Sequence, residues 1–260
     1  MKMPSSFEKI ENPNILLTGA TGFLGIHILD SFIKEETGNI YCIVRPETGM
    51  TAQAKLHQKL NYYFGNKYND LIGKRIFAVN GYIDKPGFGL SQEELLELAS
   101  NTNIVINSAA RVQHYGIYQD FYNTNVKSVQ YIVDFCKSFD KKLYHISTLS
   151  ISGNAFDTSA AKQTIDKQID FYESNLYINQ ILDNVYINTK FQAECLVLDA
   201  ILEGLDGYIL RMGNLMPRFS DGLFQDNILE NAYINRILAF IRLGGFPEYI
   251  KDRLFRIYSC

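Results

Sequence analysis

The chain has 260 residues, of which 47% are hydrophobic and 20% charged, as expected of a soluble globular protein with one sizeable core. A net charge of -3, with no dense basic run, argues against a nucleic-acid-binding surface. The four cysteines, Cys42, Cys136, Cys195 and Cys260, are scattered and form no C-x-x-C pair, so neither a disulfide frame nor a metal site is expected.

Residues 1–13 are polar and end at Pro13, and read as a lead-in. They contain no apolar leader, and no later run approaches the length of a membrane span, so a cytoplasmic protein is expected. Ile15 to Leu17 form a short apolar run of the kind a strand buried on both faces needs. Gly19, Gly22 and Gly25 follow as G-x-x-G-x-x-G. An apolar pattern through Phe23, Leu24, Ile26, Ile28, Leu29, Phe32 and Ile33 then suits a helix packed on a sheet. Strand, glycine turn and helix in this order form a dinucleotide-binding signature. The glycines allow the tight turn, the approach of a pyrophosphate and close helix packing, and the helix N-terminus offers free N–H groups. Thr18, Gly19, Thr21, Gly22, Phe23, Leu24 and Gly25 are therefore candidate cofactor contacts.

Asn39 to Val44 is a second strand, closed by Arg45 and Pro46. An acid at this position would hold a ribose 2′-hydroxyl, whereas an arginine suits a 2′-phosphate. Arg45 has no acidic neighbour in sequence before Glu47, which favours NADP(H), with Lys55 on the following helix as a second phosphate contact. Arg75 to Gly81 reads as a third strand, and Ser91-Gln-Glu-Glu94 as a capping box opening a helix. Asn103 to Asn107 is a fourth strand, followed by the small residues Ser108, Ala109 and Ala110, which would let a cofactor lie close. His114, on the loop beyond, is either a site-lining or a structural residue. A helical pattern runs from Tyr118 to Phe139, and Lys142 to Ile146 is a fifth strand leading into Ser147, Thr148 and Ser150. Residues 154–185 read as a polar insertion, Tyr186 to Leu202 as a helix, Gly207 to Arg211 as a sixth strand, and Phe224 to Leu243 as mostly helical. This alternation predicts an α/β fold, a Rossmann-type doubly wound parallel sheet over residues 14–212.

Tyr186 and Lys190 form a Y-x-x-x-K pair, one helical turn apart on the same face. A nearby ammonium would lower the phenol pKa and make the tyrosine a usable acid–base group. The spacing alone decides little, because Tyr63 and Lys67 repeat it. Position favours Tyr186, which follows the fifth strand and its hydroxyl residues Ser147, Thr148 and Ser150.

Together with Asn125, the segments Thr18 to Gly25, Asn107 to Ala110, Ser147 to Gly153 and the Tyr186/Lys190 pair resemble the extended short-chain dehydrogenase/reductases. More narrowly, Val44-Arg45, Ile178 to Tyr186 and Arg211 to Gln225 resemble the thioester reductase domains that end nonribosomal peptide synthetases and carboxylic acid reductases. The resemblance implies NADPH-dependent reduction of an acyl or peptidyl thioester, carried on a phosphopantetheinylated carrier protein, to an aldehyde, with a second reduction to an alcohol as the alternative end point. It assigns Thr148 a hydroxyl role, Tyr186 the proton donor and Lys190 the catalytic lysine, with Asn125 supporting the lysine through a water. The alternatives are a reductase or epimerase acting on a soluble substrate such as a nucleotide sugar, and a non-catalytic dinucleotide-binding protein.

Three departures from the family pattern stand out. Gly81-Tyr82 replaces a Gly-Asp pair, and Lys127-Ser128 replaces Gly-Thr. The family's substrate lobe also extends roughly a hundred residues further than this chain, so the resemblance implies that 213–260 is a small, incomplete substrate lobe. An exposed apolar surface formed by Ile228, Leu229, Ile234, Ile237, Leu238, Phe240 and Ile241, and self-association through it, are therefore expected.

Overall fold

The computed structural model describes residues 10–113, 116–153 and 171–245. Six parallel strands form one sheet in the order β3-β2-β1-β4-β5-β6. They are β1 (Ile15–Thr18), β2 (Ile40–Val44), β3 (Ile76–Asn80), β4 (Ile104–Asn107), β5 (Lys142–Thr148) and β6 (Gly207–Met212). The order reverses direction between β1 and β4, which opens a crevice at the carboxyl ends of those strands, where this class of sheet binds its ligands. The doubly wound sheet expected from the alternation is present.

Side-chain alternation distributes the core between the two faces. Ile15 and Leu17 of β1 join Ile40, Cys42 and Val44 of β2 on one face, beneath α1 (Phe23–Glu35) and α2 (Ala52–Phe64). Leu16, Val105 and Leu143 face the other way, against α3 (Gln92–Asn101), α5 (Ser128–Phe139) and α6 (Val185–Leu202). The central strands β1 and β2 are buried on both sides, which is why their sequences read as continuous apolar runs rather than alternating ones. Ser91 and Glu94 form the capping box read from the sequence.

The helix expected over Tyr118 to Phe139 exists but is not uniform. It opens as α4 (Tyr118–Phe121), passes through a π-helical segment, Tyr122–Lys127, and continues as α5. Wide turns of this kind occur often at functional sites, and this one carries Asn125. Of the polar insertion, the described part 171–184 contains only turns and bends, while residues 154–170 and His114 lie outside the described residues.

Past β6 the chain crosses back over α1 and α2, where Phe224 packs edge-on to Phe23 with ring centroids 4.9 Å apart, and the Arg218 Nη1 donates to the Tyr63 carbonyl at 3.1 Å. The mostly helical stretch expected over Phe224 to Leu243 is present from Ile228 onward, as a short turn, Ile228–Glu230, and the helix α7 (Ala232–Leu243), while Phe224 is a buried anchor ahead of them. None of the described α7 side chains is buried, and Ile241 and Leu243 are among its exposed apolar residues, as are Ile228 and Leu229 just before it.

Candidate active site

The glycine turn lies at the end of β1. Gly19 has φ +74°, and a Cβ there would meet the Ala109 nitrogen at 2.7 Å and the Ser108 Oγ at 2.8 Å. A Cβ on Gly25 would fall 2.1 Å from the Gly19 carbonyl oxygen. Both positions therefore require glycine for the backbone to form its cradle. Gly22 caps α1 without any side-chain bond to the helix N-terminus, and the first turn holds no acidic residue. Those free N–H groups and the positive dipole end suit the pyrophosphate of a dinucleotide. The Ser108 hydroxyl donates to the Thr18 carbonyl at 2.7 Å and the Ala109 N–H to the Thr18 Oγ1 at 3.3 Å, tying the ends of β1 and β4 together under the cradle.

Two of the residues read as contacts from the glycine motif have other occupations. Thr18 is fully buried and gives its hydroxyl proton to the Asn107 Oδ1 at 2.6 Å. The Phe23 ring joins His27, Tyr63 and Phe224 in an aromatic cluster. Thr21, Leu24 and Ala110 remain half-buried around the turn.

At the end of β2 the structure adds an acid that linear reading did not place there. The Arg45 Nη2 lies 3.6 Å from the Asp84 Oδ2, because β3 pairs in register with β2, Val44 opposite Asn80, and brings the following loop alongside. Lys55 bonds Glu47 and reaches the Arg45 carbonyl at 3.4 Å. Both cations expected at a 2′-phosphate therefore have carboxylate partners. At the Gly81-Tyr82 departure, Tyr82 carries the Lys85 ammonium 4.2 Å above its ring.

Thr148, Tyr186 and Lys190 converge at the end of β5. Tyr186 lies in the first turn of α6, which Asn184 caps by accepting the Ile187 N–H at 3.2 Å. Thr148 is hydrogen-bonded to the Tyr186 side chain, and its Oγ1 also accepts the Ser150 N–H at 3.1 Å. Burial raises the Tyr186 phenol above its ordinary value, while the bond to Thr148 works the other way. Lys190 takes no part in that shift, so the lowering expected from it is not found. The lysine is fully buried and donates to the Ile146 carbonyl at 2.6 Å; burial pushes it down to about 8, against the attraction of Glu194.

Ser147 does not serve as a site hydroxyl. Strand alternation turns it away from Thr148, and it donates to the Glu194 Oε2 at 2.6 Å; Ser150 is exposed. Glu194, one turn beyond Lys190, also accepts from the Arg211 Nε at 2.9 Å and Nη2 at 2.5 Å. Arg211 in turn donates to the carbonyls of Tyr172 and Asn175, at 3.2 and 2.6 Å, and docks segment 171–175 against the site. Sequence reading missed Glu194, although it continues the spacing of Tyr186 and Lys190 by four more residues.

Asn125 is buried and bonded within the protein. Its two amide hydrogens go to the Arg111 carbonyl at 3.0 Å and the Thr189 Oγ1 at 3.1 Å, and its Oδ1 accepts the Arg111 N–H at 2.7 Å. It clamps the loop after β4 to α6 directly, beside Lys190 rather than on it.

Comparison with known proteins agrees with this architecture. The model of the NAD-binding family described as "Male sterility protein" matches residues 17–257. A thiolation-reductase di-domain from an archaeal non-ribosomal peptide synthetase is 37% identical, with a TM-score of 0.82, and the match covers 94% of this chain and 50% of that one. The nonribosomal peptide synthetase asaC of Aspergillus flavus is 29% identical over 90% of this chain, which spans only 22% of it. The L-2-aminoadipate reductase of Saccharomyces cerevisiae is 26% identical over 94% of this chain and 18% of that protein. The UDP-glucuronic acid 4-epimerase of Bacillus cereus, solved with NAD, shares the fold at 21% identity and a TM-score of 0.56, over 79% of this chain and 57% of that one.

Proposed function

This chain belongs to the NAD-binding male sterility family of reductases, and from that premise we propose that it performs NADPH-dependent reductive release of a thioester. The substrate is an acyl or peptidyl group on the phosphopantetheine arm of a carrier protein, and the product is an aldehyde. The observation that carries the reading is the hydrogen-bonded pair Thr148–Tyr186 at the end of β5, one helical turn from buried Lys190. It stands with the 37% identity to a thiolation-reductase di-domain.

The cradle from Gly19 to Gly25 would hold the pyrophosphate, and Lys190 the nicotinamide ribose. When bound, the reduced cofactor supplies the hydride. Thr148 and Tyr186 hydrogen-bond the thioester oxygen as negative charge develops on it. Tyr186, kept in its phenol form by burial, then donates its proton to that oxygen. The resulting hemithioacetal breaks its carbon–sulfur bond to give the aldehyde and the free thiol of the arm. Arg211 and Glu194 hold segment 171–175 along the site while this happens.

The test is an acyl-phosphopantetheinyl carrier incubated with the chain and NADPH, with cofactor oxidation followed alongside trapping of the aldehyde as its oxime. Equal amounts of oxidised cofactor and oxime are expected. Cofactor oxidation without aldehyde or alcohol would overturn the reading. NADPH preference rests on Arg45 exchanging Asp84 for the 2′-phosphate. Arg45→Ala should lose about 1.5–3 kcal/mol of NADPH binding and little NADH binding. Equal affinities for the two cofactors in the unaltered protein would rule the preference out.

A further inference from the structure

Three strands carry one polar residue each at the same level of the sheet: Thr18 in β1, Asn107 in β4 and His145 in β5. They are register partners, Thr18 opposite Asn107 and Asn107 opposite His145. All three are buried, at 0%, 1% and 0% exposure, in a sheet whose neighbouring positions are apolar. The Thr18 Oγ1 lies 2.6 Å from the Asn107 Oδ1, and the Asn107 Nδ2 lies 3.1 Å from the His145 Nδ1. Most fully buried polar groups are hydrogen-bonded, so the direction of this rung follows from its partners.

The Thr18 hydroxyl meets two groups, the Ala109 backbone N–H and Asn107. A backbone N–H can only donate, so the hydroxyl accepts from Ala109 and its own proton has to go to Asn107. Asn107 therefore presents its oxygen to Thr18 and its NH₂ to His145. The imidazole must accept at Nδ1 and carry its proton at Nε2. A second proton, at Nδ1, would set two donors face to face at 3.1 Å. The Nε2 atom is itself buried and has no partner among the described residues.

We propose that His145 is a positioning residue for Lys190: the rung from Ala109 through Thr18 and Asn107 locks it as a neutral Nε2–H imidazole, so that no second unpaired positive charge stands against the Lys190 ammonium. The proposal rests on the reductive reading, which needs the ammonium at residue 190. The Lys190 Nζ bonds the carbonyl of Ile146, the residue after His145, and Ser147, on the same strand face as His145, bonds Glu194 one turn beyond the lysine. Burial and the Lys190 charge both disfavour a proton on His145, in that order. The charged groups around the pair come from α6, which carries Lys190 and Glu194, and from β6, whose Arg211 is paired with Glu194. Asn107 and Thr18 bring no charge. An imidazolium here would oppose an ammonium already pushed down to about 8 by its own burial. The rung thus starts in the loop beside the glycine cradle and ends at His145.

Nitrogen-15 NMR of histidine-labelled full-length protein tests the lock without any turnover, and carbon-13 NMR of labelled lysine reads the Lys190 midpoint in the same way. In the unaltered protein His145 should remain the neutral Nε2–H tautomer as the pH falls through the usual histidine midpoint of about 6.5. An Nδ1–H tautomer or an imidazolium at neutral pH would overturn the proposal. Asn107→Asp replaces the donor facing His145 with an acceptor, so the imidazole should gain its second proton and the Lys190 midpoint should fall by about one unit. His145→Gln, which can accept from Asn107 and cannot be charged, should leave that midpoint in place. A Lys190 midpoint that moves alike in both variants, or in neither, would show that His145 only fills space. If the tautomer and the midpoints behave as expected but no thioester is reduced, the reductive reading fails and the lock stands.

Discussion

Tyr63/Lys67 and Tyr186/Lys190 have the same spacing and opposite environments. Tyr186 and Lys190 lie within the single helix α6, so both side chains face β5. Tyr63 lies in the last turn of α2, which ends at Phe64, and Gly65 with φ +59° turns the chain before Lys67. The second pair is therefore not on one helix face. The Tyr63 ring packs against Phe23 and His27, its hydroxyl accepts the Asp226 N–H at 3.2 Å, and burial pushes it up to about 12. Lys67, half-exposed, bonds the Asp30 Oδ1 at 3.0 Å. One pair anchors a returning segment of chain, while the other encloses a buried ammonium beside a hydrogen-bonded phenol. What separates them is the helix boundary and the sheet beneath, not the motif.

The largest effect should come from the hydroxyls themselves. Tyr186→Phe should keep cofactor binding and reduce turnover by roughly 10²–10⁴, since only proton donation is removed. Tyr63→Phe should leave turnover intact. Steady-state rates for both variants decide the matter, and similar losses would erase the distinction between the pairs.

The ion pairs behind each site provide the next contrast. Arg211→Met would strand Glu194, which is 1% exposed, and should cost about 3–5 kcal/mol in urea unfolding. A cost near zero would mean that Glu194 is neutral in the fold.

Lys190→Met should abolish turnover yet gain stability at neutral pH. Moving the lysine from 10.5 to about 8 corresponds to about 3 kcal/mol of burial cost. The folded lysine gives up its proton earlier than the unfolded one, so between about pH 8 and 10.5 the unfolded state binds more protons and the unaltered protein grows more stable. The advantage of Lys190→Met should be full below about pH 8 and shrink across that window. An advantage that stays flat with pH would show that the lysine is not buried as a cation.

The smallest effect is expected at Lys67. Its ammonium is 46% exposed, and Asp30 also bonds Lys34 at 2.6 Å, so Lys67→Met should cost less than about 1 kcal/mol in the same assay. A loss as large as that of Arg211→Met would make the two ion pairs equivalent.

The sequence by itself determined the sheet and the turn it serves. Apolar runs four to seven residues long between helical patterns leave a buried parallel sheet as the arrangement that satisfies them. Gly19 and Gly25 stand where any Cβ would collide with backbone, so the cradle was legible before any contact was known. Tertiary structure decided what depends on strand register and on which face a side chain leaves. Asp84 reaches Arg45 because β3 lies beside β2, across 39 residues of chain that no local pattern spans. Ser147 and Thr148 are neighbours in sequence and part company because successive strand residues point to opposite faces. The partners of Lys190 came from the fold alone: a carbonyl of β5, a glutamate tied to Arg211 in β6, and an imidazole whose proton is fixed from β1. Charge and hydrogen bonding act through space, over a few ångströms, between strands whose order along the chain is not their order in the sheet.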